Sequence, residues 1–296
     1  MILKNRVLLL LFVMIGFGMY AKVSQSEKEV LLELFRMTQG EHWTMSWSLD
    51  EPIANWHGVE IENDRIIGLH LFNNNLVGQL PQSIYKLQHL KVLNVAFNKL
   101  SGQIPTEIEN FKELRELRMG KNKLTGSIPE HIGNLQFLEV LELFDNEFSG
   151  ALPSSIGRLA HLKSLVLSHN GIEGQIPQSI GNLTQLEGLE LGSNKIEGTI
   201  PESLGELLNL NRLVLFENQL SGTVPNAILA LPRLKVLQLQ NNNIGVDVAF
   251  QNSARKANFA VFDVGDKILR FNDDAIHNFD FKQDTRMADT KFEDVD

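Results

Sequence analysis

Asparagine recurs at intervals of 24 residues along most of this chain, and this period limits the folds that the chain can adopt. Eight asparagines lie on the period: Asn74, Asn98, Asn122, Asn146, Asn170, Asn194, Asn218 and Asn242. In the first seven units a glycine follows four residues later and a proline seven residues later. An internal repeat of this length predicts a solenoid, in which each unit buries its apolar face only against neighbouring units.

Each unit has the pattern of a short strand followed by a turn. Before the asparagine the chain alternates, as in Leu165-Val166-Leu167, which predicts a strand with one buried face. The asparagine should point inward, where its amide can bond backbone groups that the turn leaves unpaired. The glycine permits a positive φ or a close backbone approach, and the proline fixes φ on the way to the convex side. Stacked units would form a parallel sheet and a structural asparagine ladder.

The full unit, LxxLxLxxNxLxGxIPxxIGx, resembles the plant-type leucine-rich repeat, and eight copies cover residues 66–246. The resemblance implies an α/β solenoid, namely a leucine-rich-repeat horseshoe with a parallel concave β-sheet. Plant receptor-kinase ectodomains and polygalacturonase-inhibiting proteins use this unit, and similar arrays occur in secreted microbial proteins. The pattern is specific for the fold and says little about the ligand.

The N-terminus has the layout of an export signal. Lys4 and Arg6 precede an apolar run over residues 7–20, and the small residue Ala21 offers a cleavage position. Residues 1–21 are therefore predicted to be a secretory signal peptide, with an uncleaved signal anchor as the alternative. Since no other stretch could span a membrane, the mature chain is expected to be secreted, extracellular or at the cell surface, or periplasmic in a bacterium.

The residues before the repeats, 22–65, are predicted to form an N-terminal cap. Helical spacing over Ser26–Gly40 places apolar residues on one face, and Gly40 is expected to mark the end of the helix. Three tryptophans follow at Trp43, Trp47 and Trp56, and they could form a sugar platform or, as we expect, the core of the cap. Caps of the family usually carry a cysteine pair where this chain has Ala54 and Ile61, which predicts apolar packing in place of that staple.

The residues after the repeats depart from the pattern. Apolar runs within residues 247–271, such as Phe259-Ala260-Val261-Phe262, predict an irregular C-terminal cap that closes the open end of the sheet. From residue 272 to residue 296 the chain is acidic and loses its periodicity, which predicts a flexible tail.

Composition and motifs argue against several function classes. The net charge of -9 disfavours nucleic acid as a partner, and the absence of cysteine excludes disulfides and thiolate-bound metals. The histidines lack metal-ligand spacing, and no hydrolase, Walker or dinucleotide motif is present, so no metal, cofactor or enzymatic activity is expected. Carboxylate pairs such as Glu142 with Asp145, or Glu190 with Glu217, are expected on an open surface that would not raise a carboxyl pKa.

The strand positions that face away from the core vary while the lattice stays constant, and they supply the candidate ligand-binding residues of the concave face. These are Phe72, Phe97, Arg118, Lys121, Glu142, Phe144, Asp145, His169, Glu190, Arg212, Phe216 and Glu217. Exposed aromatic residues beside charges resemble the composition of interface hot spots. Charges of both signs favour a protein or glycan ligand over a polyanion. Alternatively, the phenylalanine rings lie flat on neighbouring strands and only cover the sheet.

Three functions remain open at this point. The first is a secreted or surface-displayed recognition module that binds a protein or glycan through the concave face without chemistry of its own. The second is an inhibitor or effector of an extracellular hydrolase, as the resemblance to the polygalacturonase inhibitors implies. The third is a structural adhesion or spacer protein.

One short motif lies outside the concave face. Asn182-Leu183-Thr184 matches the N-glycosylation triplet and is predicted to lie on a convex turn, where a glycan could be attached in a eukaryotic source. Equally, the triplet is what the repeat consensus places there.

Overall fold

The structure is a computed structural model of the 296-residue chain. It describes residues 23–245, residue 250 and residues 259–263. The predicted signal peptide (1–21), the predicted acidic tail (272–296) and most of the predicted C-terminal cap (247–271) lie outside the described residues.

Among the described residues, ten strands form a long sheet, and strands are numbered here in chain order. A hairpin at its N-terminal end pairs β1 (Val59–Glu62) antiparallel to β2 (Arg65–His70). The other strands add in parallel: β4 (Val92–Asn94), β6 (Glu116–Arg118), β8 (Val140–Glu142), β10 (Ser164–Val166), β12 (Gly188–Glu190), β14 (Arg212–Val214), β16 (Val236–Gln238) and β18 (Val261–Asp263). Leu165 pairs with both Leu141 and Leu189, one period away on either side. This register confirms the parallel solenoid sheet.

A second parallel sheet, which the sequence analysis assigned only to turns, follows the lattice asparagines. Within the described residues its strands are β3 (Val77–Gln79), β5 (Lys99–Gly102), β7 (Lys123–Gly126), β9 (Glu147–Ala151), β11 (Gly171–Gln175), β13 (Lys195–Thr199), β15 (Gln219–Thr223) and β17 (Asn243–Gly245). In β9, buried Phe148 alternates with exposed neighbours, and Gly150 bends the strand with a φ of 75°. The positive φ expected of the lattice glycine thus occurs inside a strand.

Short helices form the convex side and start after the lattice prolines. They are 3-10 helices over Gln82–Lys86, Thr106–Asn110, Glu130–Asn134, Ser154–Arg158, Gln178–Asn182 and Glu202–Glu206, and the α-helix α2 (Asn226–Leu229). Each buries an apolar side chain at its centre, for example Ile132 and Ile156. These side chains meet the strand leucines in one continuous apolar core. The strands therefore form one face of the solenoid, and the short helices form the opposite, convex face.

The cap helix α1 spans Gln25–Met37 and lies slightly before the predicted range. Ser24 caps its start by accepting a hydrogen bond from the Glu27 amide, and the Thr38 hydroxyl donates to the Leu34 carbonyl at its end. The prediction that Gly40 ends the helix is wrong, because Gly40 lies in a following 3-10 turn. A Cβ atom there would overlap the Phe35 ring, so this glycine is needed for packing.

The three tryptophans form the core of the cap, and a sugar platform is excluded because all three are buried. Trp47 stacks on Trp56 with ring centroids 4.8 Å apart and meets Trp43 edge-on at 4.8 Å. Further 3-10 turns over Gly40–His42 and Ile53–Asn55 complete the cap. The apolar packing predicted at Ala54 is wrong, since this residue is exposed and the tryptophans hold the segment instead.

The lattice asparagines point inward and bond the turn on both sides. In the central unit, Asn170 Nδ2 donates to the carbonyls of Leu143 (3.1 Å) and Leu167 (3.0 Å). Its Oδ1 accepts a hydrogen bond of 3.0 Å from the Phe148 amide of the preceding unit. The same contacts recur at equivalent positions such as Asn194. From Asn98 onwards each asparagine links two successive units through backbone groups that would otherwise be buried without partners, whereas the Asn74 side chain bonds Met45 of the cap.

The described part of the predicted C-terminal cap consists of residue 250 and residues 259–263 and includes the strand β18. Strand β18 pairs in parallel with β16 and extends the sheet by one strand. Phe259 and Phe262 stack with centroids 5.0 Å apart, and Phe250 stacks on Phe262 at 5.9 Å. All three rings are buried and cover the apolar end of the solenoid.

Candidate functional site

The concave face is built from strand positions that alternate with the core. In β14, Leu213 and the following Leu215 point into the core, whereas Arg212, Val214 and Phe216 face away from it. Equivalent positions on successive strands form columns that run along the solenoid. A side chain on this face is therefore surrounded by residues 24 positions before and after it, and their sizes decide how exposed it is.

The residue directly before each lattice asparagine has a left-handed backbone. Its φ lies between 47° and 59° at Asn73, Phe97, Lys121, Asp145, His169, Ser193, Glu217 and Asn241. This conformation is uncommon outside glycine and is least compatible with β-branched residues, which are absent from this column. Five of the predicted ligand-binding residues thus lie at turns that end the concave strands, instead of on the strands themselves.

Four of the predicted residues come together near the N-terminal end of the concave face and form what we call the open patch: Phe72, Phe97, Phe144 and Lys121. The Phe72 side chain is 52% exposed, and Phe97 and Phe144 are half-buried. Ring centroids lie 5.0 Å apart between Phe72 and Phe97 and 5.9 Å apart between Phe97 and Phe144. Lys121 Nζ lies 5.7 Å from the Phe97 centroid, within the range of a cation–π contact. This patch offers aromatic surface beside a cation.

An arginine network borders the open patch. Arg118 Nη1 donates to Glu142 Oε1, and Arg118 Nε donates to Glu116 Oε2 at 3.0 Å. The side chains of Arg118 and Glu142 are mostly buried, so the exposure predicted for Glu142 is wrong. Lys121 and Asp145 form a longer and more exposed contact of 3.8 Å between Nζ and Oδ2. The charges of this region are therefore largely matched within the protein.

The C-terminal half of the concave face is closed by its own side chains. We call Glu190, Arg212, Val214, Phe216 and Val236 the closed cluster. Glu190 is 2% exposed, and its Oε1 accepts a hydrogen bond of 2.9 Å from Arg212 Nη1. Val214, Phe216 and Val236 pack together as a small apolar cluster separate from the main core. Glu190 and Phe216 are predicted ligand-binding residues, and the closed cluster would have to open before either could contact a ligand.

The closed cluster changes the acidity of its carboxylate. Burial raises the pKa of Glu190, Arg212 lowers it in part, and the nearby Glu142 raises it further. The expectation that concave carboxylates lie on an open surface without a raised pKa is therefore wrong for Glu190. This carboxylate is paired with Arg212, whose Nη1 lies 2.9 Å from Glu190 Oε1.

A glycine on the neighbouring strand lets a phenylalanine ring lie over that strand. Phe216 lies over Gly192, where a Cβ atom would come within 2.5 Å of the ring. Phe144 covers Gly120 in the same way, whereas no glycine precedes Phe72 by one period. The alternative interpretation, that rings lie flat on the sheet, therefore holds for Phe216 and in part for Phe144. A glycine 24 residues before a phenylalanine was a sequence signal for this packing.

The remaining predicted residues lie at exposed turn positions. His169 meets the Phe216 ring edge-on with centroids 6.0 Å apart, and Glu217 Oε2 accepts a hydrogen bond from the Ser193 hydroxyl. Within residues 23–245, 250 and 259–263, no three His, Asp or Glu side chains are grouped to hold a metal ion. In the same residues no helix has the length and apolar character needed to cross a membrane.

The repeats match two sequence families. A family described as a leucine-rich repeat region matches residues 107–243, and the Leucine Rich Repeat family matches residues 89–111. Both matches lie within the solenoid described above. The chain is therefore a leucine-rich-repeat protein. No protein of curated function matches the chain significantly.

Solved structures with the same fold include plant receptors. The plant peptide hormone receptor RGFR1 in complex with RGF2 is 35% identical, with a TM-score of 0.63 over 67% of this chain and 32% of that chain. The ectodomain of the receptor kinase GASSHO1/SCHENGEN3 from Arabidopsis thaliana, in complex with CASPARIAN STRIP INTEGRITY FACTOR 2, is 31% identical, with a TM-score of 0.66 over 75% and 30%. A plant ice-binding protein is 25% identical, with a TM-score of 0.66 over 83% and 87%.

These likenesses assign the repeats to the plant type and also set a limit. The chain spans about a third of the length of the two receptor ectodomains, whereas it spans most of the ice-binding protein. The sequence resemblance to plant receptor ectodomains is thereby confirmed for the repeat unit and the fold.

Proposed function

We propose that this protein is an extracellular, non-catalytic recognition module that binds a peptide or protein ligand through the open patch of its concave face. The observation that carries the proposal is the contrast within that face. Phe72, Phe97 and Phe144 form a connected aromatic surface that is still accessible, while the closed cluster satisfies its own side chains. Large accessible apolar patches on a folded protein mark interaction sites.

The comparisons support the class of ligand. The two receptor ectodomains described above were solved in complex with RGF2 and with CASPARIAN STRIP INTEGRITY FACTOR 2, and the first is named a peptide hormone receptor. An aromatic patch bordered by a lysine suits a ligand with an apolar or aromatic side chain followed by a carbonyl or carboxylate group. We therefore favour a peptide or protein over a glycan. The extracellular setting rests on the predicted signal peptide and on the receptor ectodomains it resembles.

The test compares two aromatic substitutions. Full-length protein is immobilised and exposed to extracellular extract, beside a Phe72→Ala/Phe97→Ala variant and a Phe137→Ala control. Phe137 is 46% exposed and lies between the 3-10 helix Glu130–Asn134 and β8, so this control removes one exposed phenylalanine outside the concave strands. We expect a ligand to be retained by the wild type and the control and lost by the double variant.

The other outcomes are equally informative. Retention by all three proteins would contradict binding through the open patch. Loss in the Phe137→Ala control would place the site around Phe137, outside the open patch. If the ligand proves to be a hydrolase whose activity is blocked, the module acts as an inhibitor through the same surface.

A further inference from the structure

Asn182, Leu183 and Thr184 form a compact turn at the end of a convex 3-10 helix. Leu183 has φ −79° and ψ 64°, and the Thr184 amide donates to the Asn182 carbonyl at 2.9 Å, which is the geometry of an inverse γ-turn. The side chains of Asn182 and Thr184 are both exposed, and no hydrogen bond from the Asn182 amide is found among the described residues. The turn therefore presents a free amide and a hydroxyl-bearing residue two positions later.

Equivalent turns in other units lack one of these features. Asn134, Leu135 and Gln136 form the same turn, with a 3.0 Å bond from the Gln136 amide to the Asn134 carbonyl. However, Asn134 Nδ2 already donates to Glu109 Oε2 at 2.6 Å, and glutamine replaces threonine. Asn182 begins the one Asn-x-Ser/Thr triplet in the full sequence. The threonine is thus a departure from the neighbouring units and not a fixed element of the repeat.

We propose that Asn182 is an N-glycosylation site; this rests on the extracellular setting of the proposed function and adds to it a eukaryotic secretory route. The reactant is an oligosaccharide linked to a lipid diphosphate in the secretory lumen. Asn182 Nδ2 forms a bond to the anomeric carbon and loses a proton, the bond between that carbon and the diphosphate breaks, and the lipid diphosphate leaves. No oxidant or reductant is needed.

The folded structure can accommodate this glycan. Asn182 ends the helix on the convex side, so a bulky hydrophilic group there extends into solvent and leaves the open patch accessible. In the next unit, Asn209 Nδ2 donates to the Thr184 carbonyl at 2.9 Å, which ties the turn to its neighbour. Leu208, at 61% the most exposed large apolar side chain described, takes the position of Thr184 in that unit. A glycan beside it would shield this apolar side chain.

The experiment translates the full chain in the presence of endoplasmic-reticulum microsomes. We expect a protease-protected product whose mass falls on treatment with peptide-N-glycosidase. Asn182→Gln and Thr184→Ala should abolish this mass difference, whereas Thr184→Ser should keep it, because serine also supplies the required hydroxyl. Gln136→Thr creates a second triplet in the matched turn and should add a second glycan if triplet and turn suffice.

A second version carries an established secretory signal in place of residues 1–21, so that export and glycosylation are judged separately. If only this version is protected and glycosylated, the acceptor site is supported and the predicted native signal is wrong. A protected chain that carries no glycan at Asn182 in either version would overturn the proposal. Glycosylation that persists in Asn182→Gln would also overturn it.

Discussion

The two halves of the concave face use the same strand positions, but the side chains at these positions differ in how accessible they are to solvent. The N-terminal half leaves Phe72 half exposed and Phe97 and Phe144 in contact with solvent. The C-terminal half buries Phe216 over Gly192 and holds Glu190 against Arg212. Since the core lattice is the same in both, the difference arises from the outward columns alone. The position of a residue in the repeat therefore determines whether its side chain faces the core or the concave surface. The residues one period away determine how accessible that side chain is.

The largest expected effect concerns the arginine of the closed cluster. Arg212→Ala leaves the buried Glu190 carboxylate without its partner, and we expect a loss of about 3 kcal/mol in the free energy of unfolding. Urea denaturation measures this loss. The control is Arg115→Ala, which removes an exposed partner of Glu139 and should cost less than about 1 kcal/mol. Equal losses in the free energy of unfolding of the two variants would show that the Arg212–Glu190 pair is as exposed to solvent as the Arg115–Glu139 pair.

The next effect separates stability from binding. Phe216→Ala removes a ring that is 2% exposed, and we expect it to lower the free energy of unfolding by about 3 kcal/mol. Phe72→Ala changes an accessible ring and should alter stability by less than about 0.5 kcal/mol, yet it should weaken ligand retention. Thermal or urea unfolding and the retention assay are run on both variants. A large loss of stability in Phe72→Ala would remove the distinction between the open patch and the closed cluster.

Sequence alone predicted the features that the lattice controls and missed those set by pairs of neighbours. The strand register, the inward asparagines and the buried cap tryptophans follow from residue type and period. The second sheet was missed because its strands contain glycine and polar residues, and only stacking reveals that an extended segment such as Glu147–Ala151 pairs on both sides. The burial of Glu190 was missed because Arg212 lies 22 residues away and two positions off its column.

A prediction on the asparagine ladder tests whether the scaffold is indeed common to both halves. Asn122 beside the open patch and Asn194 beside the closed cluster make equivalent hydrogen bonds to carbonyls and to a preceding amide. Substitution of either by alanine should lower the free energy of unfolding by roughly 1–3 kcal/mol, because buried backbone groups lose their partner. Urea titration of both variants measures the two losses. Markedly unequal losses would mean that the scaffold itself differs between the halves.

The smallest effect is a pH dependence that distinguishes a buried carboxylate from an exposed one. Burial, opposed by Arg212 and reinforced by Glu142, raises the pKa of Glu190 above its ordinary value of 4.5. The folded state then binds this proton more tightly than the unfolded state, so the stabilising contribution is fully present below pH 4.5 and is lost as pH rises through the folded-state pKa. Lys163 and Arg115 instead lower the pKa of Glu139, whose contribution is present above pH 4.5 and lost as pH falls.

These opposite signs give a direct measurement. The free energy of unfolding of the wild type minus that of Glu190→Gln should decrease as pH rises above 4.5. The corresponding difference for Glu139→Gln should increase as pH rises towards 4.5, because this partly exposed carboxylate gains from its lysine and arginine once it is ionised. Urea titrations of the three proteins on both sides of pH 4.5 provide the two slopes, that of Glu139 below this pH and that of Glu190 above it. If the two slopes have the same sign, Glu190 behaves as a solvated carboxylate, and the C-terminal half of the concave face is open to a ligand like the N-terminal half.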